Sequence, residues 1–182
     1  MNRGTNNKPK TKPSTPTKTI ATKSKGRNFW LMKTEPDVFS IDDLRNAPNQ
    51  TTCWDGVRNY QARNFMRDQM KLGDVVLVYH SNANPSCVVG TATIVRTAYP
   101  DHTAWDKHDP HYDPKCDPAN PRWFMVDIQY ESTLPQPLSL EMLRQIPALE
   151  SMELLRKGSR LSVQPVTKQQ YDTILRIVLP SK

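Results

Sequence analysis

The sequence predicts an α+β fold built on a small, curved, mostly antiparallel sheet or open β-barrel with short helices around it. Three observations carry that expectation. Five or six short runs rich in Val, Ile, Thr and aromatic residues are bounded by Gly, Pro, Asn and Asp. Stretches with apolar residues at helical spacing are scattered between those runs. The length, 182 residues with 36% hydrophobic, is room for one domain or one domain plus a tail. No apolar run approaches the ~20 residues that a membrane span requires.

Taken in order, residues 28–34 (Asn-Phe-Trp-Leu-Met-Lys-Thr) read as a strand, stopped at Glu35-Pro36 where Pro removes a ladder donor. Ser40 is an N-cap, and Asp43 in the first turn favours a short helix. Residues 52–56 form a brief extended piece ending in a turn. From about 57 to 70, Ala62, Phe65, Met66 and Met70 recur at helical spacing together with the stem of Gln69. Arg58, Arg63 and Arg67 fall between them on the other side, and Leu72-Gly73-Asp74 is the stop. Residues 74–80 and 87–96 are two strong strand runs joined by the loop 81–86. A long Pro- and Asp-rich loop over 98–121 leads to a strand at 123–130. Short helices are expected at 139–145 and 152–157, and a last strand at 160–165. A terminal helix spans 167–179, with Tyr171, Ile174, Leu175 and Val178 on one side.

The formal charge of +7 is uneven. Residues 1–27 hold eight cations, Lys8, Lys10 and Lys12 among them, and no acid. Subtracting that +8 leaves −1 for residues 28–182. The body is therefore near neutral, and what is basic is a tail. It has no aromatic residue and too little apolar surface to offset the entropy of ordering, so residues 1–27 read as disordered. Two roles remain open for it: a solvated spacer, or an arm that grips phosphates without sequence preference. Pro9, Pro13 and Pro16 oppose a transit-peptide helix. Three widely spaced cysteines make no disulfide framework, so an intracellular setting is expected. Cys53 and Cys87 read as small core residues.

Chemistry-bearing residues gather at strand ends: Lys33, Thr34 and Glu35 after the first run, then Trp54 to Tyr60, then Tyr79 to Asn82. A mouth lined by Trp and Tyr faces, with Thr, Ser, Asn and Glu dipoles nearby, could hold a planar heterocycle, stacking supplying affinity and the polar groups reading its edge. His108, Asp109, His111, Asp113, Cys116 and Asp117 crowd one loop, but their spacing fits no zinc pattern, and Asx-type turns explain the Asp-Pro steps. No serine elbow and no Gly-rich phosphate loop occurs, and Asp42-Asp43 serve a helix start. Neither a metal, a cofactor nor catalysis is expected.

The strings FWLMKTEP (29–36), WDGVRNYQARN (54–64), YHS (79–81), DPK…NPRW (113–123) and LSVQPV (161–166) closely resemble the EVE domain family, over residues 28–180. The resemblance implies a PUA-like fold, sibling to the YTH and ASCH domains. It further implies a reader of modified nucleobases, with methylated or otherwise oxidised cytosines in DNA as ligand. Trp54 resembles the aromatic wall that a YTH domain sets against a flipped base. Lys33, Thr34 and Glu35 would floor the pocket, joined by Asn59, Tyr60, Tyr79 and Ser81. Thr34 stands where many relatives have Ser, keeping the hydroxyl and adding a methyl. Arg58, Arg63, Arg67, Lys8, Lys10 and Lys12 are the candidate backbone contacts. An RNA-binding PUA-like module is the alternative, and no membrane partner is expected. The compartment would be the nucleus in a eukaryote and the cytoplasm in a bacterium.

Overall fold

The computed structural model describes Met1 and residues 26–178. The basic segment, with Lys8, Lys10 and Lys12, lies outside the described residues apart from its ends. Alternation along the first strand, Phe29–Thr34 (β1), divides its side chains between two layers. Trp30 and Met32 enter one core and Leu31 the other, all three at most 3% exposed. The strand Val75–His80 (β3) is buried at all six positions, as expected for a strand covered on both faces. These two strands pair parallel, from Phe29 against Val75 to Thr34 against His80. Every other strand pairing is antiparallel, which makes the sheet mixed.

The remaining strands are Thr51–Trp54 (β2), Cys87–Pro100 (β4), Phe124–Ser139 (β5) and Val163–Val166 (β6). Their order is β2-β5-β4-β3-β1-β6, an open sheet with β2 and β6 at its edges. Pro165 lies in β6, where a missing N–H donor is tolerated at an edge. The helices Ile41–Asn46 (α1) and Tyr60–Asn64 (α2) cover the core that holds Trp30, Met32, Trp54 and Val78. The helices Leu140–Arg144 (α3) and Lys168–Val178 (α4) cover the other face, around Leu31, Leu77 and Tyr79. Among the described residues no helix is long and apolar enough to cross a membrane.

Four elements differ from expectation. The helix expected over 57–70 begins only at Tyr60, capped by Asn59, whose side chain accepts from Ala62 N. It then widens into a π turn over Phe65–Gln69, closed by Met70 N donating to Phe65 O at 3.0 Å. The extra residue keeps Met66 and Met70 buried while Gln69 stays exposed. Strands β4 and β5 outrun their expected ends because bulges slip their register, notably between Val88/Gly90 and Arg96/Tyr99, and so break the period of two. Pro135 and Pro137 fall between Thr133 and Leu138, where pairing with β4 lapses. The segment expected as a helix over 152–157 is a single 3-10 turn, Glu153–Leu155.

Candidate nucleic-acid interface

The parallel pairing of β1 with β3 ends both strands at one corner and so brings together residues 47 apart in sequence. Ser81 N donates to Thr34 O at 2.8 Å, and Ser81 Oγ donates to the same carbonyl at 3.2 Å. The Thr34 hydroxyl donates to Phe39 O at 2.8 Å, and Asn82 Nδ2 donates to Glu35 Oε1 at 2.7 Å. His80, 9% exposed, sits beneath; its Nε2 accepts from Ile41 N at 3.1 Å, at the first turn of α1. Burial pushes the His80 imidazole down from its ordinary pKa, with Asp42 and Asp43 partly opposing, so the neutral ring is the resident form.

Lys33 points to the other side of β1 and meets a different neighbourhood. Its ammonium is half-buried, which lowers its pKa, while the Glu153 charge partly restores it. Glu153 lines a cleft of about 260 Å³ between the start of α2, where Asn59 and Gln61 stand, and the segment up to Leu161. Arg156, Lys157 and Arg160 form a cationic rim on that segment, turned by Gly158 at φ +78°. Glu153 accepts from Ser159 Oγ at 2.8 Å and pairs with Arg156 at 3.6 Å. Gln164, fully buried, braces the loop from below: its Nε2 donates to Leu161 O at 2.9 Å and to Ser159 Oγ at 3.4 Å. Its Oε1 is the buried side-chain oxygen without a partner among the described residues.

The segment from Trp54 to Tyr60 is pinned by a buried carboxylate. Asp101, 0% exposed, accepts from Gly56 N at 3.0 Å, Arg58 Nη1 at 2.7 Å and Thr103 Oγ1 at 2.6 Å. Burial alone would raise its pKa; the bonds from Arg58 and Thr103 and the Arg58 charge outweigh it and hold the carboxyl below the usual range. Gly56 has φ +70° and lies under the His111 ring, where a Cβ would stand 2.7 Å from Nε2. Just beyond, Tyr60 stacks on Trp123 at 4.9 Å, and Trp123 Nε1 donates to Asp113 Oδ2 at 2.7 Å. The Arg63 guanidinium lies 5.0 Å from the Tyr60 ring, and Arg67 lies 5.7 Å from Phe124. Tyr60 is 54% exposed.

The sequence-predicted residues therefore divide. Thr34, Glu35 and Ser81 share the strand-end corner, Asn59 lines the cleft, and Lys33 lies within the field of Glu153 without lining that cleft. Tyr60, Arg63 and Arg67 belong to the exposed aromatic–cation stack, and Arg58 is engaged with Asp101, Thr103 and the His111 carbonyl. Trp54 and Tyr79 are 8% and 3% exposed in cores on opposite faces of the sheet, so they do not flank one opening. Cys87 is buried, whereas Cys53 is partly exposed, its thiol donating to Asp55 at 3.4 Å and pushed up to about 11 by burial first. In the Asp-rich loop, Asp106, Asp109, Asp113 and Asp117 each accept from a backbone N–H two residues on, the Asx-turn geometry. Sequence reasoning missed Glu153, Ser159, Gln164 and Trp123. The basic turn Lys157-Gly158-Ser159-Arg160 just ahead of LSVQPV was the available signal for the first three.

Comparison with known proteins adds to this geometry. The chain is 46% identical over 180 residues to thymocyte nuclear protein 1 of Rattus norvegicus, covering 88% of this chain and 79% of that one. A crystal structure of a Pseudomonas syringae protein superposes with a TM-score of 0.79 at 45% identity, covering 83% of this chain and 99% of that one. The crystal structure of human THYN1 protein in complex with 5-methylcytosine-containing DNA superposes with a TM-score of 0.80 at 42% identity, covering 85% and 99%. The six-stranded open sheet is thus the PUA-like sheet of those structures. The model of the EVE domain matches residues 28–177, and with nearly the whole body matched, this chain belongs to the EVE domain family.

Proposed function

We propose that this domain binds DNA carrying a 5-modified cytosine, takes the modified base out of the stack and reads it as a binding module without chemistry of its own. The observation that carries the reading is the likeness, at 42% identity, to the human protein crystallised with 5-methylcytosine DNA. Extruding a base costs a few kcal/mol, which enclosure at a protein mouth can offset. In this reading Asn59 meets the base at the cleft, and Lys33 contributes its charge from β1. Thr34, Glu35 and Ser81 fix the strand ends that shape the mouth, and Trp54 and Tyr79 support it from the two cores. Tyr60, Arg63 and Arg67 face the sugar–phosphate backbone, and Arg58 holds the segment that presents them. The name the mammalian relatives share, thymocyte nuclear protein 1, puts them in the compartment of such a ligand.

The test is a fluorescence-anisotropy titration at one fixed salt with matched duplexes bearing cytosine, 5-methylcytosine or 5-hydroxymethylcytosine. A buried methyl is worth about 0.8 kcal/mol, so the expected preference is a few-fold to about tenfold. Equal affinity for all three would overturn the reading, and so would recovery of chemically altered DNA after incubation.

A further inference from the structure

We propose that the basic turn at residues 156–160 binds the DNA phosphates flanking the extruded base, through the side chains of Lys157 and Arg160 with Arg156 beside them. This rests on the base-reading function above and names the surface that holds the opened strand.

The turn walls one side of the cleft of about 260 Å³, and Asn59 and Gln61 at the start of α2 wall the other. Three cations, Arg156, Lys157 and Arg160, stand there against one carboxylate, Glu153, in a body whose net charge is −1. Glu153 is engaged by Ser159 Oγ and, at 3.6 Å, by Arg156, whose side chain is 75% exposed. Lys157 and Arg160 are exposed, and among the described residues no carboxylate lies within ion-pair distance of either. The turn is nonetheless fixed. Ser159 N donates to Arg156 O at 3.2 Å, and Gln164 holds Leu161 O and Ser159 Oγ from below. Gly158 has open space where a Cβ would stand, so its positive φ serves the turn rather than packing. None of these bonds uses the Lys157 ammonium or the Arg160 guanidinium. A turn already ordered in this way loses little further entropy when it grips a ligand.

Ammonium and guanidinium groups are donors only, and the turn carries no aromatic ring on which a base could stack. That chemistry suits phosphate oxygens, which position a nucleic acid without reading its sequence. The location suits the phosphates beside the extruded base. Tyr60, between Asn59 and Gln61 in sequence, lies outside the cleft on Trp123, with Arg63 at 5.0 Å from its ring. The cationic turn and the aromatic–cation stack thus stand on either side of the start of α2, where they grip an opened strand from two sides. Extrusion rotates a nucleotide about its own backbone, so its flanking phosphates come to the cleft wall with it. A turn that merely adds positive field would attract every phosphate alike and would not depend on which of them carries the charge.

A methylphosphonate removes the charge of one chosen phosphate. Anisotropy with 5-methylcytosine duplexes compares neutralising the two phosphates that flank the modified base with neutralising two remote ones. The variant is Lys157→Gln with Arg160→Gln. The control, Arg144→Gln with Arg176→Gln, removes the same charge from α3 and α4 on the other face of the sheet. All four residues are exposed, so both proteins should keep the wild-type melting temperature. Flanking neutralisation should weaken wild type and control by about fivefold more than remote neutralisation, the size of one or two exposed ion pairs. The Lys157/Arg160 variant should lose less than about twofold, and its slope of log affinity against log salt should fall by about 1.5 to 2. A variant that loses as much as wild type on flanking neutralisation overturns the inference, and so does a control that behaves as the variant does. If wild type then still separates 5-methylcytosine from cytosine in ordinary duplexes, only this inference falls; if it binds both alike, the base-reading function falls with it.

Discussion

At the scale of single residues, Asp101 shows how a side chain without ligand contact can set up an interface. Its carboxylate gathers Gly56 N–H, the Arg58 guanidinium and the Thr103 hydroxyl from segments up to 45 positions away. Asp101→Asn leaves Arg58, with 22% of its side chain exposed, lacking its anion. We expect a loss of about 3 kcal/mol of stability by urea unfolding at neutral pH. The carboxyl is held below its unfolded value of about 3.9, so its contribution is present above that value and lost as pH falls through the lower folded one. The Asn variant should show a flatter stability profile below about pH 4; an unchanged acid limb would contradict this account. Arg58 also marks a limit of sequence reading. Its place among polar residues between Trp54 and Tyr60 is legible, yet its partner lies 43 positions on, and no local pattern points there.

At the scale of elements, α1 combines a local and a distant cap. Ser40 and Asp43 form a reciprocal capping box, and their separation of three residues makes it readable from sequence. The second cap, His80 Nε2 accepting from Ile41 N, spans 39 residues and exists only because the β1–β3 pairing brings His80 to the helix start. That bond requires the neutral ring. The folded-state pKa of His80 is lowered, so stability is full above the unfolded value of about 6.5 and falls as pH drops from there toward the folded value. His80→Gln, which accepts without titrating, should remove that part of the pH dependence in urea melts as pH falls below about 6.5; an identical slope in the variant would rule His80 out as the cause. The π turn after α2 and the bulges of β4 and β5 were illegible for a related reason. Each inserts a residue that resets the period, and only packing shows where the reset falls.

At the scale of the whole molecule, charge divides into a +8 segment, residues 1–27, and a body of −1. Deleting residues 1–27 should weaken DNA binding and lower the slope of log affinity against log salt by up to about 7, while leaving the preference for modified over plain cytosine intact. A deletion that changed this preference, measured by anisotropy across a salt series, would show that the segment takes part in base reading. The sequence by itself determined the charge division, the α+β class, the strand cores and the first helix cap, because period, composition and short-range hydrogen bonding are local properties. It also determined the family, because ordered motifs such as WDGVRNYQARN and LSVQPV survive as strings. Only the tertiary structure decided which polar residues meet. It sent Trp54 and Tyr79 into opposite cores, split Lys33 from Thr34 across the two faces of one strand, and brought Glu153 to Lys33 from 120 positions away. The physical reason is that a strand alternates its faces residue by residue, while strand order, a long-range property, fixes what each face meets.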